Sequence, residues 1–256
     1  MIILASDYDG TLKINGKIAE ADDQAIRSFQ AQGNLFGIVT GRTVGMIKHE
    51  LMKYHVPFDF LICANGATIV NQDYHILEQT DLCFDDALDL IEDCKQRNVS
   101  IIVSDGNQYG PLFDHRKNIS NHKQAPEPNE DRISGDEILK RKRIGLMVIC
   151  SDSLEESLSL KNELEQKYKG KMNFHYNNGV IDVTAWNVDK SQGIKKLEEK
   201  WKVSFNVIGD GYNDICMLDE FNSFAVNHAS DEVKKHAKYC VASIEECIEK
   251  LLEKGE

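Results

Sequence analysis

The chain has 256 residues and a formal net charge of −12 at pH 7, with 41% hydrophobic and 28% charged residues. This length can bury a sizeable core, either in one domain with an insertion or in two modest domains. The acidic balance argues against nucleic acid as a partner, and no apolar run approaches the ~18 residues of a membrane-spanning helix.

The cysteines and the N-terminal residues bear on the compartment. Seven cysteines are spread along the chain without a Cys-x-x-Cys pair, which favours reduced thiols over a disulfide framework or a zinc site. The start, MIILASDYDG, lacks the basic segment and the small-residue cleavage site of a signal peptide and is better explained as a first strand. We therefore expect a cytoplasmic protein without a membrane partner, as a monomer or a weak homodimer.

Apolar runs and helical patterns alternate over the first third of the chain. Short strands are predicted in IILA, LFGIV and FDFLIC, separated by helical patterns in EADDQAIRSFQAQG and TVGMIKHELMKYHV. The strands are continuously apolar, which is typical of a parallel sheet covered by helices on both faces. The pattern returns near the C-terminus with strands in FNVIG and SFAV, followed by two amphipathic helices at about residues 231–238 and 243–252.

The middle of the chain has a different pattern. Residues 82–183 predict a helix, a strand, a polar stretch, a strand, a second helix and further strands, which together indicate an α+β insertion. Pro111, Pro126 and Pro128 lie in the polar stretch and predict a loop there. The predicted fold class is therefore α/β, with a parallel-sheet core formed by residues 1–81 and 184–256 and an inserted α+β domain at residues 82–183.

Polar clusters stand where the apolar strands end. The clusters are Asp7 with Asp9, Thr40-Gly41-Arg42, Asn65-Gly66, and Asp210 with Asn213 and Asp214. In open α/β sheets, ligands bind outside the carboxyl ends of the strands, so clusters far apart in sequence are expected to meet in one pocket. Residues i and i+2 of a strand face the same way, and both Asp7 and Asp9 can therefore point into that pocket.

Several carboxylates in one pocket need a positive charge nearby. Each close pair costs on the order of 4 kcal/mol at ~4 Å and an effective dielectric constant of 20. Aspartate oxygens are ligands that Mg²⁺ prefers, and a bound dication lets an acidic pocket hold a phosphate. Lys190, at the start of a predicted helix, is the best candidate for a second positive charge. Thr40 and the backbone N–H of Gly41 could hold phosphate oxygens, while one aspartate acts as nucleophile and its neighbour as acid/base.

Taken together, the motifs resemble those of the haloacid dehalogenase superfamily, and within it the Cof-type phosphatases with a large α/β cap. The resemblance covers essentially the whole chain. Asp7-Tyr8-Asp9-Gly10-Thr11-Leu12 is similar to the first motif of that family, Thr40-Gly41-Arg42 to the second, Lys190 to the third and Gly209-Asp210-Gly211-Tyr212-Asn213-Asp214 to the fourth. Asn65-Gly66-Ala67 resembles the segment that precedes the cap in this subgroup. The resemblance implies a Rossmann-like core and a Mg²⁺-dependent phosphatase acting on small phosphorylated metabolites, with sugar phosphates as the leading class.

The resemblance also implies a role for each matched residue. Asp7 would be the nucleophile that becomes a phospho-aspartate and a Mg²⁺ ligand, and Asp9 would be the general acid/base with its backbone carbonyl on the metal. Asp210 would bind Mg²⁺ directly, and Asp214 would support the waters of the metal. The remaining matched residues would contact phosphate or substrate, with Lys190 also orienting Asp7: Thr40, Gly41, Arg42, Lys190 and Asn213.

One departure from the family pattern and two alternative functions remain. His228 stands where this subgroup usually has an asparagine, and we expect it to be structural rather than catalytic. A phosphomutase or phosphotransferase with the same nucleophile is one alternative, and a non-catalytic sensor of a phosphorylated ligand is the other. A dinucleotide site is excluded because the first strand is not followed by Gly-x-Gly-x-x-Gly.

Overall fold

Two β-sheets organise the chain in the computed structural model, which describes residues 1–117, 129–177 and 179–253. The first sheet draws strands from both halves of the chain: β1 (Ile3–Asp7), β2 (Leu35–Val39), β3 (Phe60–Cys63), β4 (Thr68–Asn71), β5 (Ile76–Gln79), β11 (Asn206–Gly209), β12 (Asn222–Val226) and β13 (Tyr239–Val241). Their spatial order is β13-β12-β11-β1-β2-β3-β4-β5. The strand that carries Asp7 therefore lies at the centre, between β11 and β2.

Burial explains why the central strands are continuously apolar. All residues of β1 and β3 are buried, so both faces of the sheet are covered. The helices that contribute apolar side chains to this core are α1 (Glu20–Ala31), α2 (Val44–Tyr54), α6 (Lys190–Trp201), α7 (Ile215–Glu220), α8 (Asp231–Lys234) and α9 (Ile244–Glu253). The predicted parallel pairing is confirmed for β1, β2, β3, β11 and β12, and β13 adds a further parallel strand beside β12.

The two edges of this sheet differ from the prediction. At one edge, β4 and β5 form an antiparallel hairpin that the sequence pattern did not predict. The side chain of Asn71 accepts the backbone N–H groups of Asp73 and His75, which holds the turn between these strands. At the other edge, β13 occupies a stretch between the two predicted C-terminal helices, and α8 ends at Lys234 rather than near residue 238.

The second sheet is antiparallel and is formed by the middle of the chain, with its last strand ending at Ala185, two residues beyond the predicted insertion. Its strands are β6 (Val99–Ser104), β7 (Tyr109–Asp114), β8 (Leu146–Ser151), β9 (Met172–Asn177) and β10 (Val180–Ala185), in the spatial order β7-β6-β8-β10-β9. Helices α3 (Phe84–Lys95), α4 (Gly135–Lys140) and α5 (Leu154–Lys167) accompany it. Alternate residues such as Ile101, Ile149 and Ile181 pack in a hydrophobic cluster with α3, α4 and α5, which leaves the other face open.

The loop predicted for the polar stretch of the insertion is wrong at two places. Pro111 lies inside β7, and residues 135–140 form α4. β7 is an edge strand, where a residue without a backbone N–H is tolerated. Pro126 and Pro128 lie outside the described residues.

A small apolar contact joins the two sheets close to where the chain passes between them. It consists of Ala64, Ala67, Leu146, Ala185 and Val188. The open face of the second sheet is thereby held over the carboxyl ends of the first. Among the residues that the structure describes, every helix is too short or too polar to reach across a bilayer.

Candidate active site

A cavity of about 530 Å³ lies between the carboxyl ends of the first sheet and the open face of the second. The clusters that follow β1, β2 and β11 line it: Asp7, Asp9, Thr40, Gly41, Arg42, Asp210 and Asn213. They meet because β11, β1 and β2 are neighbouring parallel strands that end at the same edge. The structure thus brings together residues that lie more than two hundred positions apart in the chain.

The ammonium of Lys190 joins two of the aspartates. Its Nζ lies 2.6 Å from Oδ1 of Asp7 and 2.6 Å from Oδ1 of Asp214, and all three side chains are buried. Lys190 is the first residue of α6, and the side chain of Asp189 caps that helix by accepting the N–H of Gln192 at 2.9 Å. The helix start therefore fixes the lysine beneath the end of β1.

Asp210 and Asp214 are held by the turn after β11. Oδ2 of Asp214 accepts the backbone N–H groups of Asp210 and Gly211 at 3.0 and 2.8 Å. Oδ1 of Asp210 accepts the hydroxyl of Thr11 at 2.8 Å. Gly10 has φ +100°, and a Cβ there would collide with the carboxylate of Asp210. A glycine at position 10 therefore lets the β1 turn and the β11 turn approach each other.

Burial and crowding shift the pKa values of these carboxyl groups. Burial raises the pKa of Asp7 well above its usual value; the charge of Lys190 opposes this, whereas Asp214 and Asp210 raise it further. Burial also raises the pKa of Asp210, and the charge of Asp214 adds to the effect. Burial alone would lower the pKa of Lys190, but Asp214 and Asp7 raise it above its usual value. Lys190 is therefore charged, and the cluster still carries excess negative charge.

The donor set fits a hard divalent cation. Carboxylate oxygens of Asp7, Asp210 and Asp214 lie within 4.8 Å of one another. Oδ2 of Asp7 is buried and meets no hydrogen-bond donor in the described part of the chain. Both oxygens of Asp214 already accept protein donors, which suits a supporting role better than direct ligation. Asp7 and Asp210 thus offer the oxygens that Mg²⁺ would bind.

Asp9 faces a different partner. Its carboxylate forms two hydrogen bonds with the guanidinium of Arg42, at 2.6 and 2.8 Å. The guanidinium also lies over the ring of Tyr8, 5.5 Å from the centroid. Arg42, predicted to contact phosphate, is therefore engaged with the predicted acid/base, and the Asp9 side chain stands apart from the Asp7–Asp210–Asp214 cluster.

Thr40 and Gly41 lie where β2 leads into α2. Thr40 is buried, and its hydroxyl accepts the backbone N–H of Arg42 at 3.1 Å. A Cβ on Gly41 would stand 2.8 Å from Oδ2 of Asp182, a residue of β10. The phosphate-binding segment predicted from the sequence is thus packed directly beneath a carboxylate of the second sheet.

Sequence analysis missed Asp182. It lines the cavity, is buried, and accepts a hydrogen bond from Nδ2 of Asn65 at 2.8 Å. Asn65 in turn lies 3.4 Å from Nδ2 of Asn213, so this predicted substrate contact is linked to β10. A signal was present, because Asp182 is an acidic residue between Ile181 and Val183 in a strand, but its partner Asn65 is more than a hundred residues away.

His228 also lines the cavity. Its Nε2 lies 2.7 Å from the carbonyl oxygen of Gly10, to which the imidazole N–H donates. This contact connects the segment after β12 to the turn after β1. A contact with a backbone carbonyl agrees with the structural role expected for His228 from the sequence.

Comparison with known proteins agrees with this architecture. The haloacid dehalogenase-like hydrolase family matches residues 4–248. An uncharacterised protein of Mycoplasma capricolum subsp. capricolum is 28% identical over 261 residues, with 94% of this chain and 97% of that protein covered. The solved structure of an HAD/COF-like hydrolase from Plasmodium vivax has a TM-score of 0.83 and 26% identity, covering 98% of this chain and 95% of that chain.

A third similarity concerns the fold alone. The HAD subclass IIB sugar phosphatase BT4131 has a TM-score of 0.77 and 22% identity, covering 100% of this chain and 99% of that chain. The overall fold of this chain is therefore similar to that of BT4131. With a family match over nearly its whole length and the aspartates and lysine gathered at one sheet edge, the chain belongs to the haloacid dehalogenase-like hydrolases.

Proposed function

We propose that the protein is a Mg²⁺-dependent phosphatase that hydrolyses small phosphorylated metabolites, with sugar phosphates as the leading class, through a phospho-aspartate. One observation carries the proposal. Asp7 has one carboxylate oxygen bound to Lys190, while the other is buried without a hydrogen-bond donor from the described residues. An oriented carboxylate of this kind is suited to attack an electrophile.

The chemistry has two halves. An oxygen of Asp7 attacks phosphorus, the bond between phosphorus and the leaving oxygen breaks, and Asp9 gives that oxygen a proton. Water then attacks the phosphorus of the acyl phosphate and loses a proton to Asp9, which releases inorganic phosphate and restores Asp7. Lys190 orients Asp7 and, together with Thr40 and the N–H of Gly41, stabilises the charge on the transferred group.

Arg42 has a positioning role in this scheme. Its two hydrogen bonds to Asp9 fix the carboxylate beside the cavity. Asn213, linked to Asn65, contacts the substrate from the β11 side.

Asp7, Asp210 and the backbone carbonyl of Asp9 would hold the proposed metal, with Asp214 as support. Bound Mg²⁺ would supply neutralising charge for the phosphate and for the crowded carboxylates. Burial raises the pKa of Asp7 and so favours its protonated form, whereas Asp7 must be ionised to act as nucleophile. A cation bound beside Asp7 would favour the ionised form, which supports this assignment.

We propose that residues 82–183 form a cap that contacts the leaving group and excludes water. Cap side chains such as Val148 and Asp182 line the same cavity as Asp7. The similarity to the sugar phosphatase BT4131 supports the substrate class. The seven free thiols support a cytoplasmic location.

Release of inorganic phosphate from a panel of phosphorylated metabolites, with Mg²⁺ present, tests the proposal. We expect turnover by the parent protein and none by Asp7→Asn, whose amide is a poor nucleophile. Interconversion of sugar phosphate isomers without phosphate release would indicate a mutase. Complete inactivity toward the panel and toward an aryl phosphate would contradict catalysis altogether.

A further inference from the structure

The wall of the cavity opposite Asp7 is the open face of the second sheet. We call this wall the roof and define it by six residues that line the cavity: Ile102, Val148, Cys150, Asn177, Val180 and Asp182. They come from four adjacent strands and alternate with residues packed in the cluster on the other face. A leaving group bound with its phosphate over Asp7 would lie against this roof.

The roof contains three aliphatic side chains, the thiol of Cys150, the amide of Asn177 and one acidic group, Asp182. Within the described cavity lining, Asp182 is the charged residue that the second sheet contributes, and it contributes no lysine or arginine. Two cationic side chains on the opposite side of the cavity already form ion pairs with carboxylates. Arg42 is paired with Asp9, and Lys190 is paired with Asp7 and Asp214. A second anionic group on a substrate would therefore meet a carboxylate and apolar side chains instead of a cation.

Asp182 is fixed in position rather than loosely exposed. It is 6% exposed, accepts a hydrogen bond from Asn65 at 2.8 Å and lies over Gly41, at which a Cβ would stand 2.8 Å from its oxygen. The carboxylate thus stands next to the predicted phosphate-binding segment, where the first atoms of a leaving group would pass. An ionised carboxylate only accepts hydrogen bonds, so it suits hydroxyl groups and disfavours phosphate or carboxylate groups.

We propose that Asp182 is a specificity-determining residue that restricts the enzyme to singly phosphorylated substrates with an uncharged, hydroxyl-bearing leaving group. The inference rests on the proposed phosphatase function. The apolar residues of the roof, Ile102, Val148 and Val180, contact the carbon skeleton of the leaving group, while Asp182 accepts a hydrogen bond from one of its hydroxyl groups. Bisphosphates and phosphorylated acids are excluded by repulsion.

Two matched pairs of substrates test the proposal: glycerol 3-phosphate against 3-phosphoglycerate, and glucose 6-phosphate against glucose 1,6-bisphosphate. We expect kcat/KM of the parent protein to favour the uncharged leaving group by about tenfold or more in each pair. Asp182→Asn should reduce that preference several-fold, mainly by lowering KM for the anionic member. Asp136→Asn removes an exposed carboxylate from α4, away from the cavity, and should keep the preference unchanged.

A second variant tests the proposal independently in case Asp182→Asn does not fold. Val148→Lys adds a cation to the roof and should shift the preference toward the bisphosphate, and dissociation constants measured on an Asp7→Asn background should shift in the same sense. Equal kcat/KM within both pairs in an active parent protein would overturn the inference alone, as would unchanged preferences in both roof variants. If no phosphate ester is cleaved, the proposed function fails and the inference fails with it.

Discussion

Arg42 holds the carboxylate of Asp9 at two points, through Nε at 2.6 Å and Nη2 at 2.8 Å. The backbone N–H of Arg42 also donates to the hydroxyl of Thr40. One residue thus connects the proposed acid/base to the proposed phosphate-binding segment. A planar guanidinium can make this two-point contact, whereas the ammonium of lysine cannot.

We expect Arg42→Lys to lower kcat by about tenfold or more, because a mobile Asp9 transfers protons less efficiently. KM should change less than kcat if Arg42 acts on Asp9 rather than on phosphate. Arg27→Lys is the matched control, since Arg27 forms a similar two-point pair with Asp23 on the exposed face of α1. A rise in KM with kcat preserved would instead assign Arg42 to phosphate binding.

Lys190 is expected to contribute to stability as well as to catalysis. Its side chain is 0% exposed and lies between the carboxylates of Asp7 and Asp214. Lys190→Met leaves two buried carboxylates without their cation, and we expect the free energy of unfolding to fall by about 3–5 kcal/mol. Urea denaturation in the absence of divalent ions measures this loss.

Lys195→Met supplies the control for Lys190→Met. Lys195 lies on the same helix and pairs with Glu220 at the surface, where an ion pair contributes about 0–1 kcal/mol. Similar losses of stability in the two variants would contradict the view that the buried lysine neutralises the cluster.

Mg²⁺ should stabilise the folded protein before any substrate is added. A ligand at 100 times its dissociation constant stabilises the native state by about 2.7 kcal/mol, so Tm should rise on titration with Mg²⁺ and fall again with EDTA. Asp210→Asn should remove most of this shift because it replaces a proposed ligand. An equal Tm rise in the parent protein and in Asp210→Asn would place the ion elsewhere.

The sequence predicted the gathering of the aspartates because the strands that carry them are continuously buried. Each apolar run ends at a polar cluster, and adjacent parallel strands must end at one edge. The hairpin of β4 and β5 was not predicted. β4 begins immediately after Asn65-Gly66-Ala67, and no loop separates this motif from the strand. β13 is only three residues long, too short for a pattern to stand out.

Pairings between side chains were harder to predict than strand ends. Strand alternation places Asp182 on the same face as Val180, but only the packing of the second sheet over Gly41 brings that face to the cavity. The contact between Arg42 and Asp9 joins the ends of two strands, and many rotamers of a long side chain would avoid it. The position of Asp182 depends on how the two sheets pack and the Arg42–Asp9 contact depends on a rotamer, and residue spacing alone specifies neither.

His175 should make stability depend on pH. Burial lowers its pKa to about 4 from the usual 6.5, while its Nε2 contacts Thr184 and the carbonyl oxygen of Val188. Between pH 6.5 and 4 the unfolded chain binds a proton here that the folded chain does not, so stability is greatest above pH 6.5 and falls on acidification. At pH 5 the expected loss from this group is about 2 kcal/mol.

Urea unfolding at pH 7 and pH 5 measures this loss for His175. In His175→Gln the decrease between the two pH values should be smaller than in the parent protein by about 2 kcal/mol, because no imidazole remains to be protonated. His49→Gln removes an exposed imidazole on α2 and should leave the decrease unchanged. Identical pH dependence in the parent protein and His175→Gln would contradict the prediction.

The lack of a side chain at Gly45 should allow the second sheet to pack closely over the site. The N–H groups of Val44 and Gly45, at the start of α2, donate to the carbonyls of Gly106 and Asn107 in the turn between β6 and β7, at 3.2 and 3.0 Å. A Cβ on Gly45 would stand 2.5 Å from Cβ of Asp131 and 2.8 Å from the carbonyl oxygen of Asn107. Gly45→Ala must therefore push this turn away from the helix.

We expect Gly45→Ala to raise KM for a sugar phosphate several-fold, because the leaving group loses contact with the roof. Hydrogen exchange of the backbone N–H groups at positions 44 and 45 should accelerate in the same variant, since these two donors of α2 no longer reach the carbonyls of Gly106 and Asn107. Met52→Ala, at a position that is 61% exposed on the same helix, should change neither quantity. Unaltered exchange in Gly45→Ala would contradict the prediction. The backbone hydrogen bonds between the start of α2 and the β6–β7 turn would then have survived the added methyl group.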